Sequence, residues 1–245
     1  TMREKPYKGM KFAIIAAGEG ARLSREGVIL PKPMVRIDGT AMIDRLVRIF
    51  TECGATEIAL IINDEQPLTK LHSIELQKTS VVPIRLVIRS TPSSMHSFYE
   101  LSRYLHDEKF CLTTVDTIFR ESEFKTYIAN FIDSDDEGWM AVTDYIDDEK
   151  PLYVATDDRW NITGFYDTLQ ANTKYVSGGI YCLKPSVIET LQQCMEKGMV
   201  RMRNFQRQLI EDGRRLKAYP FSKILDVDHA GDIGKAEVFL KETME

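Results

Sequence analysis

At 245 residues the chain has room for one large domain with a sizeable core, and its 43% hydrophobic and 28% charged residues are ordinary for a soluble globular protein. The net charge of -5 excludes a bulk basic field for nucleic acid, so an anionic partner has to be held by local cations and backbone amides. No apolar run approaches the roughly 18 residues that span a bilayer, residues 1–11 carry no secretory core, and the four cysteines (Cys53, Cys111, Cys182, Cys194) form no CxxC pair, so a cytoplasmic protein with reduced thiols and no membrane partner is expected.

Residues 11–16 (KFAIIA) read as a first strand. A glycine-containing loop follows, and residues 41–53 then read as a helix, with Ile43, Leu46, Val47 and Phe50 at i, i+3, i+4, i+7. Strands are expected at 57–62 and 84–88, a helix at 94–105 with Met95, Phe98, Leu101 and Leu105 on one face, a buried strand at 110–115 and a helix at 122–132. This βαβα rhythm predicts a mainly parallel sheet covered on both faces. Near Gly138 the rhythm changes. Segments 139–145, 152–155, 162–165 and 175–183 are strand-like with polar connections, which suggests a mixed sheet or a β-rich lobe added to the first half. Helices at 185–195 and 201–211 follow, with Gly213 suited to a C-cap, then short strands at 215–221 and 223–227 and a last helix at 231–242.

Chemistry concentrates after the first strand, in Ala16-Ala17-Gly18-Glu19-Gly20-Ala21-Arg22-Leu23, with Pro31-Lys32-Pro33 close behind. Small residues let backbone N–H groups approach phosphate oxygens, and Arg22 and Lys32 supply fixed cations. The two prolines restrict the backbone around Lys32. A Rossmann GxGxxG fingerprint fails here, because Leu23 stands where the third glycine belongs, and a P-loop GxxxxGK[ST] fails as well. A plain strand-to-loop turn with a surface arginine is the competing reading. Asp116 ends a buried apolar run, where open α/β sheets place ligands, though a turn residue or helix cap would look the same. Asp226 and Asp228 share a face if 223–228 is extended, and two carboxylates there call for a cation or donors; Asp228 could equally cap the last helix.

The strand–AAGxGxRL–PKP order resembles the nucleotidyltransferase family with a Rossmann-like GT-A fold, which includes sugar-1-phosphate nucleotidyltransferases and choline-phosphate cytidylyltransferases. Residues 37–43, Val176-Ser177-Gly178-Gly179-Ile180-Tyr181 and Asp226-Val227-Asp228-His229 with Asp232 extend the resemblance nearly end to end. It implies a single domain over 1–245, like the short members, with a nucleotide-binding half (2–135) and an acceptor-binding, metal-completing half (136–245). By that resemblance Ala16, Ala17, Gly18, Glu19, Gly20 and Ser94 line the nucleotide, and Arg22 and Lys32 hold phosphates and stabilise the transition state. Tyr145 and Gly179 face the acceptor, and Asp116 with Asp226, or its near rival Asp228, holds Mg²⁺. Val115 stands where the family has a glycine, and Ser93 and Ser94 stand where the cytidylyltransferase branch has asparagines. The implied activity is transfer of a nucleoside monophosphate from an NTP to a sugar 1-phosphate or another small phosphorylated acceptor such as phosphocholine, with release of pyrophosphate. A non-catalytic NTP-binding protein on the same fold and an NAD(P)-dependent Rossmann oxidoreductase are the alternatives.

Overall fold

Strand β1 (Met10–Ala16) shows why both faces of the central sheet are covered. In the computed structural model, which describes residues 9–242, Met10, Phe12 and Ile14 turn to one side of this strand and Ala13 and Ile15 to the other, and all five are buried. Side chains alternate along a strand, so an unbroken apolar run needs two cores. Residues 1–8, which carry most of the segment expected to lack a secretory core, and residues 243–245 of the expected domain lie outside the described residues.

After β1 come α1 (Ala21–Arg25), a 3-10 turn at Lys32–Met34, the ribbon strands β2 (Arg36–Ile37) and β3 (Thr40–Ala41), α2 (Met42–Glu52), β4 (Ala55–Ile62), α3 (Pro67–Thr79) and β5 (Ile84–Ile88). The chain continues through α4 (Ser94–Ser102), β6 (Phe110–Thr114), β7 (Thr117–Phe119), α5 (Glu121–Asp133), β8 (Gly138–Thr143), β9 (Tyr153–Thr156), β10 (Ile162–Tyr166) and β11 (Tyr175–Leu183). It closes with α6 (Ile188–Glu196), α7 (Met202–Glu211), β12 (Leu216–Pro220), β13 (Ile224–Asp226) and α8 (Ala230–Glu242).

Strands β5, β4, β1 and β6 lie side by side and parallel. Strand β11 joins β6 antiparallel and carries β8 and β9 in turn, while β12 runs parallel to β8 and β10 antiparallel to β9. Strands β8 to β12 of the second half therefore continue the first half's sheet. Helices α2, α5 and α8 bury residues on one face; α4, α6 and α7 bury theirs on the other. The predicted stripe of α2 packs as expected, with Phe50 stacked on Phe12 at 4.5 Å between ring centroids. Gly54, at φ 82°, ends that helix, its N–H donating to Thr51 O at 3.1 Å.

Helix α3 has no counterpart in the sequence reading. It buries Thr69 and Ser73 and exposes Leu68 and Leu71, so it lacks the apolar stripe that marks a helix in a sequence. Strand β13, expected as part of the terminal strands, pairs with β7 in a separate ribbon outside the main sheet.

Lys109 shows how a buried cation can serve the frame. It is 3% exposed, and its Nζ donates to Phe131 O at 3.0 Å, Ile132 O at 2.9 Å and Ser134 O at 2.6 Å, around the carbonyl end of α5. Replacing it with Met should lower unfolding stability by about 2 kcal/mol, because those carbonyls lose a shared donor. Denaturant titration is the measurement, and an unchanged midpoint would refute this role.

A two-chambered candidate active site

The parallel strands end at one edge of the sheet, and the glycine loop, Asn63, the start of α4 and Asp116 all follow directly from those ends. Gly20 sits at φ 64° just before α1, and a Cβ there would stand 3.2 Å from the Cβ of Lys32. Asn63, 3% exposed, donates from Nδ2 to Ala17 O at 3.0 Å, while its Oδ1 accepts from Glu65 N at 2.8 Å and Ser90 Oγ at 3.1 Å. It ties the loop after β1 to the segments after β4 and β5. Ser93 caps α4, its Oγ accepting from His96 N at 3.4 Å. Together these elements enclose a chamber of ≈ 750 Å³, lined by Ala16, Ala17, Gly18, Glu19, Gly20 and Ser94 among others.

Lys32 stands at the inner wall. Its Nζ donates to Asp116 Oδ2 at 2.8 Å and Asp228 Oδ1 at 3.0 Å. Burial opposes the ammonium's charge, but the two carboxylates and their hydrogen bonds outweigh it and hold the pKa above the ordinary lysine range. Asp226 lies at the end of β13, its Oδ1 accepting from Thr117 Oγ1 at 3.4 Å. Asp226 is exposed at the cleft, where neighbouring protein displaces part of the water around its carboxyl. That desolvation first, and then Asp116, Asp228 and Asp148, pushes its pKa well above the usual carboxylate range against the pull of Lys32.

A second chamber of ≈ 330 Å³ adjoins the first. Tyr145, Asp148, Ser177, Gly178, Asp226 and Lys235 are among its lining residues. Arg22 and Asp228 line both chambers. The guanidinium of Arg22 has no hydrogen bond or ion pair among the described residues, so it is available to an anion at the junction. Across the second chamber, the loop from 144 to 151 is tied at three points: Asp147 to Lys235 Nζ at 3.0 Å, Glu149 to His229 Nε2 at 3.1 Å, and Lys150 O to Arg203 Nη2 at 2.9 Å. The Nδ1 of His229 meets Glu26 at 2.9 Å, so this residue spans the mouth between the two halves of the chain.

The structure brings together nearly every residue singled out in the sequence. Gly179 is the exception: it lines neither chamber, whereas its neighbour Gly178 lines the second, packed so close to Ile224 that a Cβ would overlap the isoleucine's Cδ1. Sequence reasoning missed Asn63, a polar residue directly after a buried strand, which was the available signal. It also missed Asp147, Asp148, Glu149 and Lys235, which look like solvated charges until the loop folds over the chamber. Asp232 reads clearly only in three dimensions, where Oδ2 accepts from Asp228 N at 3.0 Å and His229 N at 2.8 Å and orients the turn before α8.

No three His, Cys, Asp or Glu side chains converge as a ready-made metal cage among the described residues. Mg²⁺ is commonly held by one or two carboxylates together with water and substrate phosphates. Asp116 and Asp228, both within hydrogen-bond reach of one ammonium, with Asp226 beside them, are hard oxygen donors that fit such a shared site.

Comparison with known proteins agrees with this geometry. A family profile described as Nucleotidyl transferase matches residues 11–245. A mannose-1-phosphate guanyltransferase of Neurospora crassa is 25% identical over 193 residues, which are 75% of this chain and 52% of the relative, so the chain spans about half the length of that curated protein. Among solved structures, the inositol-1-phosphate CTP transferase from T. maritima superposes with a TM-score of 0.79 at 16% identity, covering 98% of each chain. The CTP:phosphocholine cytidylyltransferase from Streptococcus pneumoniae gives 0.73 at 16% identity, over 95% of this chain and 99% of the other.

Two variants test the wiring of the chambers. Gly20→Ala should weaken nucleotide binding roughly tenfold while costing only about 1 kcal/mol of stability, because it strains a positive φ and presses on Lys32; calorimetry reads the first and denaturation the second. Asp226→Asn relieves a carboxyl crowded by three others, so its melting temperature should rise above that of the wild type. A fall in melting temperature would mean that the repulsion is already compensated.

Proposed function

This chain belongs to the nucleotidyl transferase family, and from that premise we propose that it moves a nucleoside monophosphate from an NTP to a small phosphate monoester with Mg²⁺, releasing pyrophosphate. The observation that carries this reading is the junction: two chambers meet where Arg22 and Asp228 line both, one side chain cationic and unpaired, the other carboxylate. A transfer between two phosphorylated substrates needs this arrangement, with each substrate in its own compartment and the reacting phosphates brought together at a shared wall.

The NTP lies in the larger chamber, its phosphates over the amides of Gly18 and Gly20 and its nucleoside toward Ser94. Tyr145, Gly178 and the loop from 144 to 151 surround the acceptor in the smaller chamber, with Gly179 shaping the strand behind. An acceptor phosphate oxygen attacks the α-phosphorus in line, the bond to the bridging oxygen breaks, and pyrophosphate departs with that electron pair. The nucleophile is already ionised at neutral pH, so no protein base is required. Arg22 and Lys32 stabilise charge that shifts onto the leaving phosphates. Asp116 and Asp228, with Asp226 beside them, would hold Mg²⁺, which would supply neutralisation of phosphate charge. The names of the three relatives support the acceptor class, since mannose 1-phosphate, inositol 1-phosphate and phosphocholine are all phosphate monoesters. A nicotinamide-dependent oxidoreductase is set aside by the family assignment.

Pyrophosphate release, measured with Mg²⁺ across the common NTPs and a panel of sugar 1-phosphates, inositol 1-phosphate and phosphocholine, is expected to require one NTP and one acceptor together. Lys32→Ala and Asp116→Ala should each lower kcat by about 10²- to 10³-fold with the circular dichroism spectrum retained. Wild-type turnover in both variants would overturn the assignment, and tight NTP binding with no release across the panel would point to a binding protein instead.

A further inference from the structure

Among the cations that face the chambers, the fold treats Arg22 and Lys32 differently. Arg22 has no ion pair among the described residues, whereas Lys32 is committed to Asp116 and Asp228 at 2.8 and 3.0 Å. The stem of Lys32 has little freedom. It sits in a 3-10 turn closed by Met34 N donating to Pro31 O at 2.9 Å and Val35 N donating to Lys32 O at 3.1 Å, with prolines on both sides and Gly20 behind it. The backbone thus holds the side chain in place, and only its torsions can carry the ammonium away from the carboxylates. An ammonium and a divalent cation cannot occupy the same pair of carboxylate oxygens: they would repel each other at contact distance, and each oxygen's lone pairs would be divided between them.

We propose that Lys32 is the resident cation of the carboxylate site in the nucleotide-free protein, so that a divalent metal and this lysine exclude each other there. The inference rests on the assignment of Asp116 and Asp228 as metal holders. Its consequence is an order of events. Free metal meets a site already neutralised from within and binds weakly. Metal carried in by an NTP brings phosphate oxygens as well, and these give the displaced ammonium new acceptors a short swing away. The lysine therefore serves twice, first as a placeholder that keeps two carboxylates from facing each other uncompensated, then as a phosphate ligand.

The test is a Mn²⁺ titration of the full chain without nucleotide, reading free Mn²⁺ by electron paramagnetic resonance. Wild-type protein should bind weakly. Lys32→Met should bind at least about tenfold more tightly, and Lys32→Gln, which keeps a hydrogen-bond donor but no charge, should show the same gain. Adding Asp116→Asn to Lys32→Met should abolish the gain and so locate it. Thermal melts report whether each variant is folded, and the uncharged pair provides two chances of a folded protein. Mn²⁺ affinity in Lys32→Met and Lys32→Gln no greater than in the wild type overturns the proposal. The readout does not depend on turnover: failure of pyrophosphate release in the wild-type protein would count against the reaction, whereas failure of this titration counts against the cation exchange alone.

Discussion

Three stretches of chain that are far apart in sequence meet at one ammonium. Lys32 comes from the turn after the glycine loop, Asp116 from the end of β6, and Asp228 from the turn before α8. Two carboxylates brought together at the end of a sheet would drive those segments apart, and a single half-buried lysine offsets that repulsion. The cleft takes its shape from this point. The glycine loop lies on one side of Lys32, the second chamber opens beyond Asp228, and Arg22 stands where the two spaces join.

Asp226 shows the same electrostatics left incompletely resolved. Its surroundings favour the neutral acid, although its residue surface opens onto a polar cleft. A frame selected only for stability would place an amide or a hydrophobic residue there. Local strain of this kind is common at reactive sites, where charge is held ready for a ligand and the rest of the fold makes up the difference. The surrounding frame is well suited to that. Apolar residues fill both faces of β1, β4 and β6, Tyr127 bridges α5 to β8 and β11 by accepting from Cys182 N at 3.1 Å and donating to Trp139 O, and Lys109 closes the end of α5.

Much of this was legible in the sequence because the signals were local. Continuous apolar runs at 11–16 and 57–62 mark strands buried on both faces, and the loop from Ala16 to Leu23 with Lys32 between prolines stands out by composition and order as a segment that lines the larger chamber. The hidden parts depend on partners distant in the chain. Helix α3 packs through Thr69 and Ser73, residues that no hydrophobic pattern selects. Asn63 is meaningful only once its amide is seen on Ala17 O, and Glu26, Glu149 and His229 read as unrelated surface charges until the turn before α8 draws them together. Asp226 and Asp228 looked equivalent from their spacing, but β13 ends at Asp226 and the two carboxylates make different contacts: one accepts from Thr117, the other from Lys32.

The ribbon of β7 and β13 has a consequence for how the molecule comes into being. Asp226 pairs with Thr117, and Val227 N donates to Asp116 O at 3.1 Å, so the acidic corner is completed by chain made about a hundred residues after β6. The glycine loop and the first parallel strands can assemble while synthesis is still under way, since their contacts lie within the first half. The corner cannot form until residues through Asp228 have left the ribosome. The last ribbon to dock is therefore the step that brings Asp226 and Asp228 to the corner already marked by Asp116.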